Sequence, residues 1–227
     1  MIIQIYAFTR LSDALSAVAL GVNHIGFVAG RYGIVHGELD FVEARALVEG
    51  LPSHAISVAL TMATEVDEIL RMAQEVRPHI VHISTDPLDV DEMAMKTLKR
   101  RLPPETRLMK AIPVAGEESL ELARRFSPYC DFILLDTKVA DLPGVGATGV
   151  THDWRLSRRI VETVNVPVIL AGGLSPENVA EAIRQVRPYG VDSNTHTNRP
   201  GSPVEKDLQR IAAFVQAVRQ AEQEDKD

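Results

Sequence analysis

Val166-Pro167-Val168-Ile169-Leu170-Ala171-Gly172-Gly173-Leu174-Ser175-Pro176-Glu177-Asn178 contains the unit from which the fold is read. A short apolar run ends in two glycines. A helix is then expected to open with Ser175 as N-cap and Pro176 at its first helical position, continuing to about Val186. The same unit repeats in both directions along the chain. Upstream apolar runs lie at Ile2 to Tyr6, His24 to Val28, Ala55 to Leu60, Ile80 to Ile83, Arg107 to Ile112 and Phe132 to Leu135; Val191 to Asn194 follows downstream. An amphipathic stretch follows each run, the last ending near Ala221. Runs that are apolar throughout, rather than alternating, suit strands covered by helices on one side and packed on the other. Eight such units with no linker between them predict an α/β protein built as a single (β/α)8 barrel over residues 1–221. The charged tail 222–227 is expected to fray. An open doubly wound sheet is the other α/β option, but no G-x-G-x-x-G follows the first strand.

Composition narrows the function classes. The 227 residues include 24 Lys and Arg against 31 Asp and Glu, a formal charge of −7. That balance argues against a phosphate-backbone binder, so no nucleic-acid partner is expected. No apolar run is long enough to span a bilayer, so no membrane partner is expected either. The single Cys130 excludes an internal disulfide and a cysteine-cluster metal site. The N-terminus enters a strand without a basic leader, and a cytoplasmic protein is expected.

In such a barrel the chemistry collects where the strands end. One or two residues past the strands stand Tyr6, the Arg31 loop, His82 with Ser84, Lys110, Asp136, Gly172-Gly173 and Thr195-His196. Gly172 and Gly173 let the backbone approach a ligand, and free amides at a helix start favour an anion. The turn Asn194-Thr195-His196-Thr197-Asn198 would supply the second arm of a phosphate site. Ser202-Pro203-Val204-Glu205 reads as a capping box opening the last helix. Phe132-Ile133-Leu134-Leu135 delivers Asp136 to the rim with one side desolvated, which raises its pKa and suits a general acid. The loop Gly144-Val145-Gly146-Ala147-Thr148-Gly149 is glycine-rich enough to fold over a ligand.

These motifs together resemble the phosphoribosylanthranilate isomerase family. The match runs through Leu134-Leu135-Asp136-Thr137, Gly146-Ala147-Thr148-Gly149 with Asp153-Trp154, and Leu170 to Val179. It continues through Gly190-Val191-Asp192, Pro200-Gly201 and Lys206-Asp207. At the N-terminus Thr9-Arg10, Ser12-Asp13-Ala14, Gly21 and His24 to Val28 fit the same opening. The resemblance implies a TIM barrel, an Amadori rearrangement of a phosphoribosyl arylamine, and a place in tryptophan biosynthesis. It implies Asp136 as general acid and Arg31 near the substrate's carboxylate. Gly149, Gly172, Gly173, Thr195 and His196 then fall among the substrate-binding residues. It implies a small phosphorylated sugar as partner, with no redox or organic cofactor and no metal. Oligomeric state is left as monomer or homodimer.

One departure bears on the chemistry. The family's base is a cysteine in a Lys-Ile-Cys-Gly pattern, and here the stretch reads Gln4-Ile5-Tyr6-Ala7. A thiol titrates near 8.5 and a phenol near 10, so the phenol needs a larger shift to serve as a base at neutral pH. Two rim histidines, His82 and His196, appear as the cysteine disappears, and histidine is a natural base near neutrality. Tyr6, His82 and His196 are therefore the candidates for the base. An isomerase, epimerase or lyase on another phosphorylated sugar is the alternative reading, and a non-catalytic binder of phosphorylated ligands the third. His82, His196 and Asp136 could also ligate a divalent metal, although nothing in the sequence fixes that geometry.

Overall fold

The computed structural model describes residues 1–137 and 151–224. Eight parallel strands close on themselves: β1 (Ile2–Ile5), β2 (His24–Ala29), β4 (Ile56–Thr61), β5 (Ile80–Ile83), β6 (Arg107–Pro113), β7 (Phe132–Asp136), β8 (Val168–Leu170) and β9 (Gly190–Ser193). Pairing of β1 with both β9 and β2 makes the closure. A two-residue strand, β3 (Glu38–Leu39), pairs with the end of β2. Eight helices alternate with the barrel strands: α1 (Leu11–Ala19), α2 (Phe41–Gly50), α3 (Val66–Val76), α4 (Glu92–Arg101), α5 (Glu118–Phe126), α6 (Trp154–Thr163), α7 (Val179–Val186) and α8 (Leu208–Glu224). No helix among the described residues is long and apolar enough to cross a membrane.

The period of two along each strand sorts the side chains into two compartments. Ile3, Ile5, Ile25, Phe27, Val81, Ile83, Ile133 and Leu135 face outward and pack under the helices. Tyr6, Val28, Val58, Ile80, Met109, Phe132, Leu134 and Ile169 fill the barrel itself. The interior also holds polar groups, Gln4, His24, His82 and Asp192, all buried.

Two helix starts differ from the sequence reading. The α7 helix begins at Val179, not Ser175. Asn178 intervenes: its Oδ1 accepts from Ser175 N at 2.8 Å and its Nδ2 donates to Gly173 O at 3.0 Å. The segment 175–178 is thereby held as a turn. Likewise α8 begins at Leu208, where Asp207 caps Gln209 N and Arg210 N at 2.9 and 3.2 Å. Ser202 does accept from Glu205 N at 3.0 Å, but only closes a loop. The reason is Lys206, whose buried ammonium is drawn inward to Tyr6 O, Asn194 Oδ1 and Asn198 Oδ1. At the other end α8 reaches Glu224, past the expected boundary at 221, because Glu222 pairs with the N-terminal ammonium of Met1 and Glu224 with Arg184 at 3.2 Å.

Candidate active site

A cavity of about 220 Å³ opens where the strands end. Val28, Leu60, Met62 and Leu134 form its apolar walls. Tyr6, His82, Asp136, Asp192, Asn194 and Thr195 supply its polar groups. Tyr6, His82, Asp136 and Thr195, chosen from four separate parts of the sequence, therefore meet in one place.

Tyr6 Oη lies 2.8 Å from His82 Nδ1. Gly26 makes the approach possible. It sits beside Tyr6 on β2, and a Cβ there would fall 2.5 Å from the Tyr6 ring. Burial, with Asp192 nearby, holds the Tyr6 phenol well above its ordinary pKa. Burial, helped by the Lys110 ammonium, pulls His82 down to about 3. Both shifts keep the pair uncharged, so Tyr6 donates its proton to a neutral imidazole. His82 Nε2 has no hydrogen-bond partner among the described residues.

Asp136 ends β7 at the rim, with Oδ1 accepting from Thr137 N at 2.7 Å. Desolvation by the barrel wall raises its pKa to about 7, against the pull of that amide. Asp192 on β9 is raised further, to about 8, by burial and then by the Asp136 charge. Two carboxyls with raised pKa values thus face one cavity, and at neutral pH the mouth holds protons ready to give.

The phosphate candidates converge less completely. Gly172 and Gly173 have φ of 82° and 62°, which only glycine adopts freely. A Cβ at Gly172 would also meet Thr137 Oγ1 at 2.6 Å and His152 Nδ1 at 2.8 Å. His152 was not singled out by the sequence. It lies between Thr137 Oγ1 at 3.1 Å and Ser157 Oγ at 2.8 Å, and burial lowers it to about 4. It is a neutral strut behind the glycine turn. Thr195 opens a short 3-10 turn, Thr195–Thr197, and borders the cavity. His196 lies outside the cavity lining, and its carbonyl accepts from Arg210 Nε at 3.1 Å.

Arg31 is placed differently from what the resemblance implies. Its guanidinium is more than half exposed and pairs with Glu43 at 2.5 Å, with Asp40 at 4.0 Å, away from the cavity lining. Glu43 and Asp40 form the capping box of α2, which fixes the carboxylates that hold it. Lys110 points outward from β6, donating to Thr85 O at 2.7 Å beneath the Phe126 ring, and plays no part at the mouth. Cys130 is buried at the opposite end, its thiol pushed up to about 12 by burial. Gly149 lies outside the described residues. Among the described residues no three His, Cys, Asp or Glu side chains are grouped to hold a metal ion.

The closed parallel barrel, with acids and a hydroxyl–imidazole pair gathered at its strand ends, defines a (β/α)8 barrel with an acid–base site at the mouth. The sequence relatives narrow this further. The N-(5'phosphoribosyl)anthranilate (PRA) isomerase family profile matches residues 3–217. A protein of Methanocella arvoryzae named N-(5'-phosphoribosyl)anthranilate isomerase is 35% identical over 218 residues, covering 96% of this chain and 97% of its own. A protein of Methanosarcina mazei named N-(5'-phosphoribosyl)anthranilate isomerase 2 is 36% identical over 86% of this chain and 84% of its own. The crystal structure of phosphoribosyl anthranilate isomerase from Thermotoga maritima superposes with a TM-score of 0.80 at 28% identity, over 97% of this chain and all of that one. The chain belongs to the phosphoribosylanthranilate isomerase family.

Proposed function

We propose that the protein isomerises a phosphoribosylated arylamine by Amadori rearrangement, with Asp136 as general acid and the Tyr6–His82 pair as base. The observation that carries this reading is the 2.8 Å contact of Tyr6 with His82 in the same cavity as Asp136. Asp136, protonated up to about pH 7, gives its proton to the ring oxygen of the sugar. The furanose opens and the C1′–N bond becomes an iminium. The C2′ proton then passes to Tyr6 Oη while the phenol's own proton passes to His82 Nδ1. The C–H electron pair forms the C1′–C2′ double bond and neutralises the iminium. A neutral base suits this step, since a cation is consumed as the imidazolium forms. The resulting enol-amine then gains a proton at C1′ from the Tyr6–His82 pair and gives its 2′-hydroxyl proton to Asp136, which leaves the ketone and restores both groups. Gly172, Gly173 and Thr195 are assigned to the phosphate.

Family membership supports the reaction. So does a relative with a TM-score of 0.78 at 26% identity, solved in complex with reduced 1-(o-carboxyphenylamino)-1-deoxyribulose 5-phosphate. The same reading places the protein in tryptophan biosynthesis and in the cytoplasm, as a monomer or homodimer. A Thermotoga maritima relative is described as dimeric. The position of Arg31, held by Glu43, favours a second reading, in which the substrate is another phosphorylated sugar without the aryl carboxylate. Fluorescence-monitored turnover of phosphoribosylanthranilate separates the two. Turnover that vanishes in Asp136→Asn supports the first, and a folded protein without turnover supports the second.

A further inference from the structure

Three polar side chains cross the barrel interior below the mouth. The register sets Gln4 on β1 directly between His24 on β2 and Asp192 on β9, all facing inward. Gln4 Nε2 donates to Asp192 Oδ1 at 3.1 Å, and Gln4 Oε1 lies 3.1 Å from His24 Nδ1. Burial, then the charges of Arg107 and His79, lowers His24 to about 4, so it stays neutral through the working range. Gln4 Oε1 can only accept, so the neutral imidazole carries its proton on Nδ1 and donates it there, with the Gln4 amide oxygen toward β2 and the amide nitrogen toward β9.

We propose that Gln4, oriented by His24, is a positioning residue that holds Asp192 as a second proton donor beside Asp136. The Gln4 amide engages Oδ1 from below. Asp192 lines the cavity, and in the protonated acid the other oxygen would carry the proton. The neutral amide lowers the Asp192 pKa only in part and leaves it raised, whereas an ammonium at position 4, as in the Lys-Ile-Cys-Gly pattern, would hold the carboxylate ionised. The remaining groups facing Asp192 are Tyr6 on β1, Asp136 on β7 and Lys206 ahead of α8. Asp136 favours the protonated form and Lys206 opposes it. Lys206 is itself committed to Tyr6 O, Asn194 and Asn198, so among the described residues Gln4 is the direct side-chain partner of the carboxyl. In the sugar isomerisation proposed above, this second donor would bond a sugar hydroxyl while Asp136 serves the ring oxygen, so the catalytic part of the inference rests on that reading.

The test is carboxyl NMR of the full chain labelled with 13C-aspartate, with the Asp192 signal assigned by its loss in Asp192→Asn. In the wild type the signal titrates well above the usual carboxylate range. Gln4→Lys moves the midpoint down by at least two pH units, and Gln4→Met, which removes the donor at similar volume, moves it up. Circular dichroism checks folding; if the lysine variant does not fold, the wild type and the methionine variant still decide. An Asp192 signal in the ordinary carboxylate range, or a midpoint unmoved by Gln4→Met, overturns the proposal. The titration needs no turnover. Failure of the isomerase assay with these shifts present therefore counts against the reaction and not against the Gln4–Asp192 coupling.

Discussion

Removing one oxygen atom from Tyr6 should both destabilise the fold and stop the reaction. In Tyr6→Phe the ring keeps its seat against Gly26, so packing is preserved and only the hydroxyl is lost. His82 Nδ1 then loses its 2.8 Å partner inside the barrel, and Nε2 has none among the described residues to compensate. A buried polar group stripped of its partner costs about 1–3 kcal/mol. For a domain of this size each kcal/mol shifts Tm by roughly 2–4 °C, so Tm should fall by about 2–12 °C. Replacing both partners with apolar groups removes the orphan, so Tyr6→Phe with His82→Leu should be more stable than the two single effects added together predict. A coupling of about 1–2 kcal/mol is expected for residues in direct contact. Loss of a positioned base should lower kcat by about 10²–10⁴-fold. Thermal melts of the four proteins in the cycle, with turnover of each, supply both readings. Additive stabilities, or a Tyr6→Phe enzyme with unchanged kcat, would refute the reasoning.

Other perturbations probe the rest of the mouth. Asp136 acts only while protonated, so the rate should fall about tenfold per pH unit above about 7, the value to which burial raises it; the pH profile of kcat checks this. Asp192, raised to about 8, binds its proton more tightly when folded. Its contribution is therefore full at low pH and lost as pH rises from the ordinary carboxylate range through about 8. Asp192→Asn should raise Tm more at pH 8 than at pH 4, and equal shifts at the two pH values would contradict the sign. Gly172→Ala meets a positive φ and two close polar atoms. It should weaken binding of a phosphorylated ligand at least tenfold by calorimetry, while the free protein remains folded. Glu43→Gln releases Arg31 and keeps a residue able to complete the capping box. An exposed ion pair is worth about 0.2–1 kcal/mol, so KM for a carboxylate-bearing substrate should fall by up to about fivefold. A KM that rises instead would place Arg31 outside substrate binding.

The barrel was legible because each strand carries the same local signal. Apolar runs such as Phe132-Ile133-Leu134-Leu135 allow one structure only when covered on both faces, and eight of them close a ring. Asp136 was legible for the same reason, since a carboxylate at the end of such a run must sit at the rim. What failed were claims resting on short-range grammar alone. Ser175 and Ser202 carry good cap signals, yet Asn178 holds Ser175 and Gly173 in a turn, and Lys206 ties its own segment to Tyr6 O, Asn194 and Asn198 instead of continuing a helix. The place of Arg31 beside Asp40 and Glu43 was not legible, because the capping box of α2 is readable but its approach to Arg31 is not. His152 was missed because it is a strut with both ring nitrogens bonded, a role that leaves no motif.

The pairing of Tyr6 with His82 shows why replacement of the family's cysteine cannot be read one position at a time. The two residues are 76 positions apart and lie on strands that are not neighbours. A phenol buried at the end of β1 needs an acceptor, because an unpartnered hydroxyl there would cost more than it contributes. The imidazole on β5 is that acceptor, and Gly26 between them leaves the ring room to lean across. The tyrosine and the histidine therefore form one compensated unit, and either alone would be a burden to the barrel. The same logic extends one layer down, where Gln4 faces an aspartate and needs the His24 proton to settle its amide. A change of base at the mouth thus involves the interior faces of β1, β2, β5 and β9. Single substitutions back toward Lys-Ile-Cys-Gly should behave badly until His82 is changed with them.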